Sequence, residues 1–313
     1  MSGIATERSP ATPLHGEGKG KRALITGLRG FTGRYLAQEL SNAGYRVFGT
    51  VLPNEEPGPD LFQVDLCDRD AVAAMVAQVQ PDVVAHLAAI SFVGHANIEQ
   101  IYRVNVVGTR NLLEALAAQS HRPACVLLAS SGNIYGNASS GMLDELVAPM
   151  PTNDYAVSKL AMEYMARLWQ DKLPIVIVRP FNYTGVGQEE NFLLPKIVAH
   201  FRKAAPEIEL GNLAIARDFS DVRMVARCYR RLLHASPAGQ TFNVCSGTAH
   251  SLASVIGTMA SIAGYQITVH SNPAFMRKDD VITLVGNNAK LSGVIGEIAI
   301  TPLADTLRWM YEA

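Results

Sequence analysis

Between Lys21 and Pro180 the sequence repeats one pattern: a short apolar run, a small or polar break, then a segment with apolar residues at helical spacing. The runs are ALIT (23–26), RVFGTV (46–51), LFQVDL (61–66), PDVVAHLAA (81–89), ACVLLAS (124–130) and PIVIVRP (174–180). They are apolar along their length rather than at alternate positions, so both faces of each strand must be covered. The segments between them, GRYLAQELSNAGY (33–45), RDAVAAMVAQVQ (69–80), about 98–118 and YAVSKLAMEYMARLWQ (155–170), read as helices, with Gly44 suited to end the first. Strands that alternate with helices pair in parallel through right-handed crossovers, which stacks helices on both faces of one sheet.

The expected fold is therefore α/β: a doubly wound, parallel-sheet Rossmann domain with a smaller mixed α/β substrate domain. Past Pro180 the pattern loosens into a polar loop (181–192), helical stretches, a further strand (TFNVCSG, 241–247) and short elements. The expected division is 21–182 and 217–246 for the Rossmann domain, and 183–216 and 247–313 for the substrate domain. Residues 1–20 are rich in Gly, Pro, Ser and Thr without an apolar core, and read as a disordered tail on a soluble, cytoplasmic protein.

Composition excludes several function classes. Twenty-seven basic residues against 28 acidic ones leave a net charge of -1, no footprint for nucleic acid or an anionic membrane surface. No apolar stretch is long enough to span a bilayer. Cys67, Cys125, Cys228 and Cys245 form no CxxC pair, and the histidines show no metal-ligand spacing, so no metal site is expected. His86, at the end of a strand, reads as a packed or loop residue.

Gly27, Gly30 and Gly33 in TGLRGFTG stand three apart between the first strand and the first helix. A helix N-terminus behind a glycine turn suits a pyrophosphate, and a plain tight turn is the alternative. No carboxylate follows the second strand until Glu55, while Arg29 lies in the glycine loop. That favours a 2′-phosphate, hence NADP(H) with NAD(H) as second choice; a solvated arginine is the bland reading. Asp65 is placed either to bond an adenine amino group or to cap the next helix.

Tyr155 and Lys159, one helical turn apart in YAVSK, share a face. A neighbouring ammonium stabilises a phenolate and so lets tyrosine exchange a proton with a substrate oxygen. Together with the glycine loop and SSGNIYG (130–136), this pattern resembles the extended short-chain dehydrogenase/reductase family over nearly the whole chain from Lys21, with HLAA (86–89) and Asn105 also matching. The resemblance implies a catalytic set of Ser131, Tyr155 and Lys159. It implies a cofactor site of Gly27, Arg29, Gly30, Phe31, Thr32, Gly33, Asp65, Leu66, Leu87, Ala88, Ala89, Tyr155 and Lys159.

VRPFNYTGVGQ (178–188), ARDFSDV (216–222) and FNVCSG (242–247) look like the sugar-nucleotide branch, most of all its reductases of GDP-4-keto-6-deoxy-D-mannose. Tyr183 and Val186 stand where those reductases usually have His and Pro. The resemblance implies reduction of a C4 ketone on a nucleotide-linked 6-deoxyhexose, with a 4,6-dehydratase or an epimerase as rival activities and a dinucleotide-sensing binding protein as the non-enzyme alternative. It implies substrate contacts from Ser131, Asn182, Arg217 and Arg277, the last as a diphosphate clamp. Arg217 could instead pair with Asp218 or Asp221. A homodimer through helices at about 98–118 and 154–170 is the expected assembly.

Overall fold

The computed structural model describes residues 16–52, 54–91, 97–136, 141–213, 215–273 and 283–313. In chain order the elements are β1 (Arg22–Thr26), α1 (Phe31–Asn42), β2 (Arg46–Val51), β3 (Leu61–Gln63), α2 (Arg69–Val79), β4 (Val83–His86), α3 (Ile98–Tyr102), α4 (Thr109–Ala118), β5 (Cys125–Ala129), β6 (Met142–Leu143), α5 (Asp154–Arg167), β7 (Ile175–Pro180), β8 (Asn182–Thr184) and α6 (Leu193–Arg202). They continue with β9 (Glu207–Leu210), β10 (Ala216–Asp221), α7 (Val222–Ala235), β11 (Thr241–Val244), β12 (Ala249–Ser251), α8 (Leu252–Ala263), β13 (Thr268–Ser271), β14 (Thr283–Gly286), α9 (Ala289–Ile295) and α10 (Leu303–Glu312).

Seven parallel strands form the main sheet in the order β11-β7-β5-β4-β1-β2-β3. The central strands feed two cores. Ala23, Ile25, Cys125 and Leu127 face a cluster with Leu36 and Leu40 of α1 and Val225, Tyr229 and Leu232 of α7. Leu24, Val126 and Leu128 face the other side, with Val72 and Val76 of α2, Leu112 and Leu116 of α4 and Met162 of α5. This is the two-sided burial that the uniformly apolar strands require. The strand order reverses between β1 and β4, and ligands of such sheets bind at the carboxyl ends beside that switch.

The smaller sheet runs β12-β10-β14-β6, with β8 alongside β10, and β13 pairs with β9. Its core joins α6, α8 and α10 through Leu194, Ile197, Leu252, Met259, Leu303 and Leu307. The strands do not follow the expected division throughout. β6 and β10, from ranges assigned to the Rossmann domain, lie in the smaller sheet. Conversely, α9 sends Leu291 and Ile295 into the core beneath α7.

Two local features differ from the reading of the sequence. The segment 98–118 is one continuous helical path with a π turn at Arg103–Gly108 between α3 and α4, which wraps Asn105 into the interior. And Gly16–Gly20, expected within a disordered tail, is packed. The Gly18 amide donates to the Ala43 carbonyl at 3.0 Å, a side chain at Gly18 would collide with the Tyr45 ring, and Glu17 pairs with Arg230 at 2.6 Å. Residues 1–15 lie outside the described residues.

Candidate active site

The glycine turn closes β1 onto α1. Gly27 has left-handed backbone (φ 72°), and a Cβ there would sit 3.0 Å from Ala88 Cα. A Cβ on Gly33 would collide with the carbonyl oxygens of Gly27 and Leu28. Only bare backbone fits at either place. Gly30 is the N-cap of α1, no side chain caps the helix, and its first turn carries no acid. Amides at an uncapped, acid-free helix start suit an anionic diphosphate, so the residues present fit a dinucleotide.

Two details bear on which dinucleotide. Arg29 is half-buried in the loop. Glu55, which follows the end of β2 after a short turn, folds back so that its carboxylate accepts from the Leu52 amide at 2.7 Å. A carboxylate therefore does stand at the end of β2. Asp65 accepts from the Cys67 amide at 2.9 Å, and Asp68 caps α2 through Asp70 and Ala71. The capping alternative for Asp65 thus falls away. Leu66 is buried, and its carbonyl accepts from Asn111 Nδ2 at 3.0 Å.

His86 is packed, as expected, and is also a hub. Thr109 Oγ1 gives its proton to the Asn105 carbonyl (2.7 Å), so at His86 Nε2 (2.8 Å) it must accept. His86 Nδ1 is then the acceptor for the Thr26 hydroxyl at 2.7 Å, whose oxygen receives the amides of Leu87 and Ala88 at 3.2 Å each. Burial, with the Lys159 charge adding to it, pushes the imidazole down to about 3, so the ring is neutral. The same network carries on through Asn105, which brackets Ile90 N and O (2.9 and 3.1 Å) and donates to Ser158 Oγ on α5 at 3.0 Å. The segment 86–90, with Ala89 inside it, is thereby tied to the glycine turn on one side and to α5 on the other.

Ser131, Tyr155 and Lys159 come together at the carboxyl end of β5. Ser131 opens a 3₁₀ turn (Gly132–Tyr135), accepting from the Asn133 amide at 3.1 Å. It is hydrogen-bonded to Tyr155, and Lys159 Nζ donates to the Ala129 carbonyl at 2.7 Å. Burial drives the Tyr155 phenol above the ordinary tyrosine range; the Ser131 bond opposes this and the nearby Tyr183 adds to it. This differs from the expected lowering by lysine: desolvation of the phenolate outweighs the help of its neighbours. Burial also lowers Lys159 to about 8, against the pull of Glu163.

Tyr183 belongs to the same place. Its hydroxyl meets Thr32 Oγ1 at 2.7 Å, and its ring stacks on Phe31 at 5.9 Å and 9°. Asn182 pairs with Phe219 in the β8–β10 ladder, next to the β10 strand that carries Arg217. The alternative partners of Arg217 are engaged elsewhere. Asp218 accepts from Ser246 N and Oγ and from Gly247 N, and Asp221 holds Arg223 at 2.6 Å. Arg217 Nη1 donates to the Ala216 carbonyl at 3.0 Å. Arg277 lies outside the described residues.

Glu163 and Arg179 also belong to the site, although neither sits in a recognisable motif. The sequence does carry two hints of them: Arg179 is a lone cation in an apolar strand, and Glu163 stands four residues beyond Lys159. Their guanidinium and carboxylate are paired at 3.0 and 2.8 Å.

Residues 23–245 match the NAD dependent epimerase/dehydratase family. The chain belongs to that family. It is 34% identical over 295 residues to GDP-6-deoxy-D-talose 4-dehydrogenase of Aggregatibacter actinomycetemcomitans, covering 93% of this chain and 97% of the relative. It is 33% identical over 288 residues to GDP-6-deoxy-D-mannose reductase of Pseudomonas aeruginosa, covering 88% and 91%. A solved structure from Burkholderia cenocepacia is 55% identical, covers 94% of this chain and 98% of its own, and superposes with a TM-score of 0.89. The structure of RMD from Pseudomonas aeruginosa complexed with NADPH is 30% identical, covers 93% and 98%, and gives a TM-score of 0.82. This family member is an NAD(P)-dependent oxidoreductase with a Rossmann-type sheet.

Proposed function

We propose that the protein reduces the C4 ketone of a GDP-linked 4-keto-6-deoxyhexose with NADPH. The observation that carries the reading is the turn Ser131-Gly132-Asn133. Dehydration across C5 and C6 needs a carboxyl beside the catalytic serine, and this turn has none. Nor is there room at its centre: a Cβ on Gly132 would press on the Phe181 ring at 3.1 Å. The nearby Glu145 is committed to the Asn243 amide at 2.6 Å. What remains can orient and protonate a carbonyl. The relatives named for GDP-6-deoxy sugars support the substrate class.

In this mechanism the backbone of Gly27, Gly30 and Gly33, with Phe31 and Thr32 at the start of α1, holds the diphosphate. Asp65 and Leu66 would serve the adenine end, Leu87, Ala88 and Ala89 the middle of the dinucleotide, and Lys159 its nicotinamide ribose. The bound dinucleotide supplies the hydride that reaches C4. Ser131 donates to the carbonyl oxygen, and Tyr155 gives it a proton as the carbonyl pair moves onto oxygen. A buried phenol that stays protonated is the right form for a proton donor. Asn182, Arg217 and Arg277 hold the sugar nucleotide.

The test is a pair of incubations with purified protein. GDP-4-keto-6-deoxymannose should consume NADPH in proportion to the 4-hydroxy product, whose configuration distinguishes 6-deoxymannose from 6-deoxytalose. GDP-mannose with a trace of NADP should yield no 4-keto sugar; its dehydration would sink the proposal. Glu55 at the end of β2 favours a second reading for the cofactor, NADH. If Arg29 selects the 2′-phosphate, Arg29→Ala should weaken NADPH binding by about tenfold, a loss of about 1.4 kcal/mol, and leave NADH binding unchanged. Tighter NADH than NADPH binding by the native protein would assign selection to Glu55.

The proposal includes a homodimer. Ile98, Val107, Val157, Tyr164 and Leu168 are exposed on α3, the π turn, α5 and the residue that ends it. Large apolar side chains clustered on packed helices favour burial against a second copy. Sedimentation should give a dimer, and Tyr164→Asp with Leu168→Asp a folded monomer; an unchanged dimer would place the interface elsewhere.

A further inference from the structure

The proposed reaction leaves the Glu163–Arg179 pair without a task. Both side chains are buried, at 0% and 4% exposure. Glu163 sits on α5 one turn beyond Lys159, and its carboxylate takes Nε and Nη2 of Arg179. Arg179 Nη1 donates to Tyr135 Oη at 2.9 Å, and Tyr135 donates to Asn243 Oδ1 at 2.7 Å. Tyr135 ends the 3₁₀ turn that starts after Ser131. One buried ion pair is thus attached to the helix of Tyr155 and Lys159 and to the turn of Ser131.

We propose that Glu163 is a positioning residue: its carboxylate keeps Lys159 in the ammonium form and, through Arg179 and Tyr135, fixes the Ser131 turn against α5. The inference rests on the reading of Lys159 as a cofactor-holding, proton-assisting group.

A buried ammonium is unstable without a nearby anion, and the Ala129 carbonyl that Lys159 touches is neutral. The groups that interact with Lys159 electrostatically are Glu163 on α5 and the neutral His86 at the end of β4; Tyr155 shares its face of α5, and Arg179 of β7, bonded to Tyr135 of the serine turn, reaches it only behind Glu163. Glu145, after β6, is held by the Asn243 amide. Glu163 is the anion among them on the helix of Lys159. Arg179, of opposite sign, is locked onto it, so the pair presents its negative end on α5. Burial lowers Lys159 to about 8 even with this support, so losing the carboxylate lowers it further and shrinks the ammonium fraction near neutrality. A neutral amine would neither grip an electron-rich ribose nor assist the phenol.

The experiment follows the side-chain signal of Lys159 by NMR in the cofactor-free protein labelled with ε-¹³C-lysine, the signal being identified by its loss in Lys159→Arg. Its midpoint should lie near 8 in the native protein. In Glu163→Gln it should fall by at least about one unit, a tenfold change in the proton equilibrium. Glu163→Asp should keep the native midpoint. With substrate and NADPH, the alkaline limb of kcat/KM should move down in Glu163→Gln by the same amount. Tyr135→Phe should lower kcat alike at every pH, since it cuts the arm to Ser131 and leaves the charges in place. An unchanged Lys159 midpoint in Glu163→Gln overturns the proposal. If that variant fails to fold, Glu163→Gln with Arg179→Gln removes both charges; the midpoint should again fall, and an unchanged one again overturns it. The titration needs no sugar nucleotide, so a wrong substrate class and a wrong role for Glu163 give different results.

Discussion

Tyr155→Phe should lose at least about a thousandfold in kcat and keep the fold. General acid catalysis by a positioned side chain contributes about 10²–10⁴ in rate, and here the phenol is the group that must deliver the proton. Removing its oxygen leaves the alkoxide without that donor, while the ring still fills its buried place on α5. Ser131 loses one partner and keeps the Asn133 amide, so stability should change by no more than about 1 kcal/mol. NADPH affinity should stay within about threefold of native, because Lys159, the helix start of α1 and the glycine turn are untouched. Steady-state rates, calorimetric titration with NADPH and a thermal melt check the three parts. A Phe variant with more than a tenth of the native rate would mean that another group, or water, supplies the proton.

The parts legible in the sequence share one property: their signal is local. Wholly apolar strands imply a sheet covered on both faces, and the main sheet is that, with Leu24 and Ile25 feeding opposite cores. Tyr155 and Lys159 were readable because four residues is one helical turn. What escaped depends on pairing across long stretches of chain. β6 is two residues, too short for any periodicity, and joins the smaller sheet only by finding β14. The π turn around Asn105 is set by its bonds to Ile90 and Ser158, which no spacing rule encodes. Glu55 is the exception: its contact with the Leu52 amide is local, but a side chain that turns back onto the backbone leaves no periodic signal. The spacing to Lys159 shows a neighbouring ammonium, whereas burial dominates the Tyr155 phenol, and burial is a property of the folded molecule.

Arg179→Leu should destabilise the protein by about 3–5 kcal/mol, because it strands the Glu163 carboxylate, fully buried, without its partner. The cost lies in that unpaired charge rather than in the lost attraction. Replacing both groups, Glu163→Leu with Arg179→Leu, should therefore be far milder, within about 1–2 kcal/mol of native, because a buried ion pair pays little net energy over its desolvation. In a chain of 313 residues each kcal/mol moves Tm by about 1.5 °C, so the single variant should melt about 5–8 °C lower and the double variant close to native. The two differ again in chemistry. Tyr135 loses Arg179 in both but keeps its bond to Asn243, so any fall in kcat common to both variants reports the freed Ser131 turn. A double variant as unstable as the single one would show that the pair contributes packing and hydrogen bonds that leucines cannot replace, and that its charges are not what the fold is protecting.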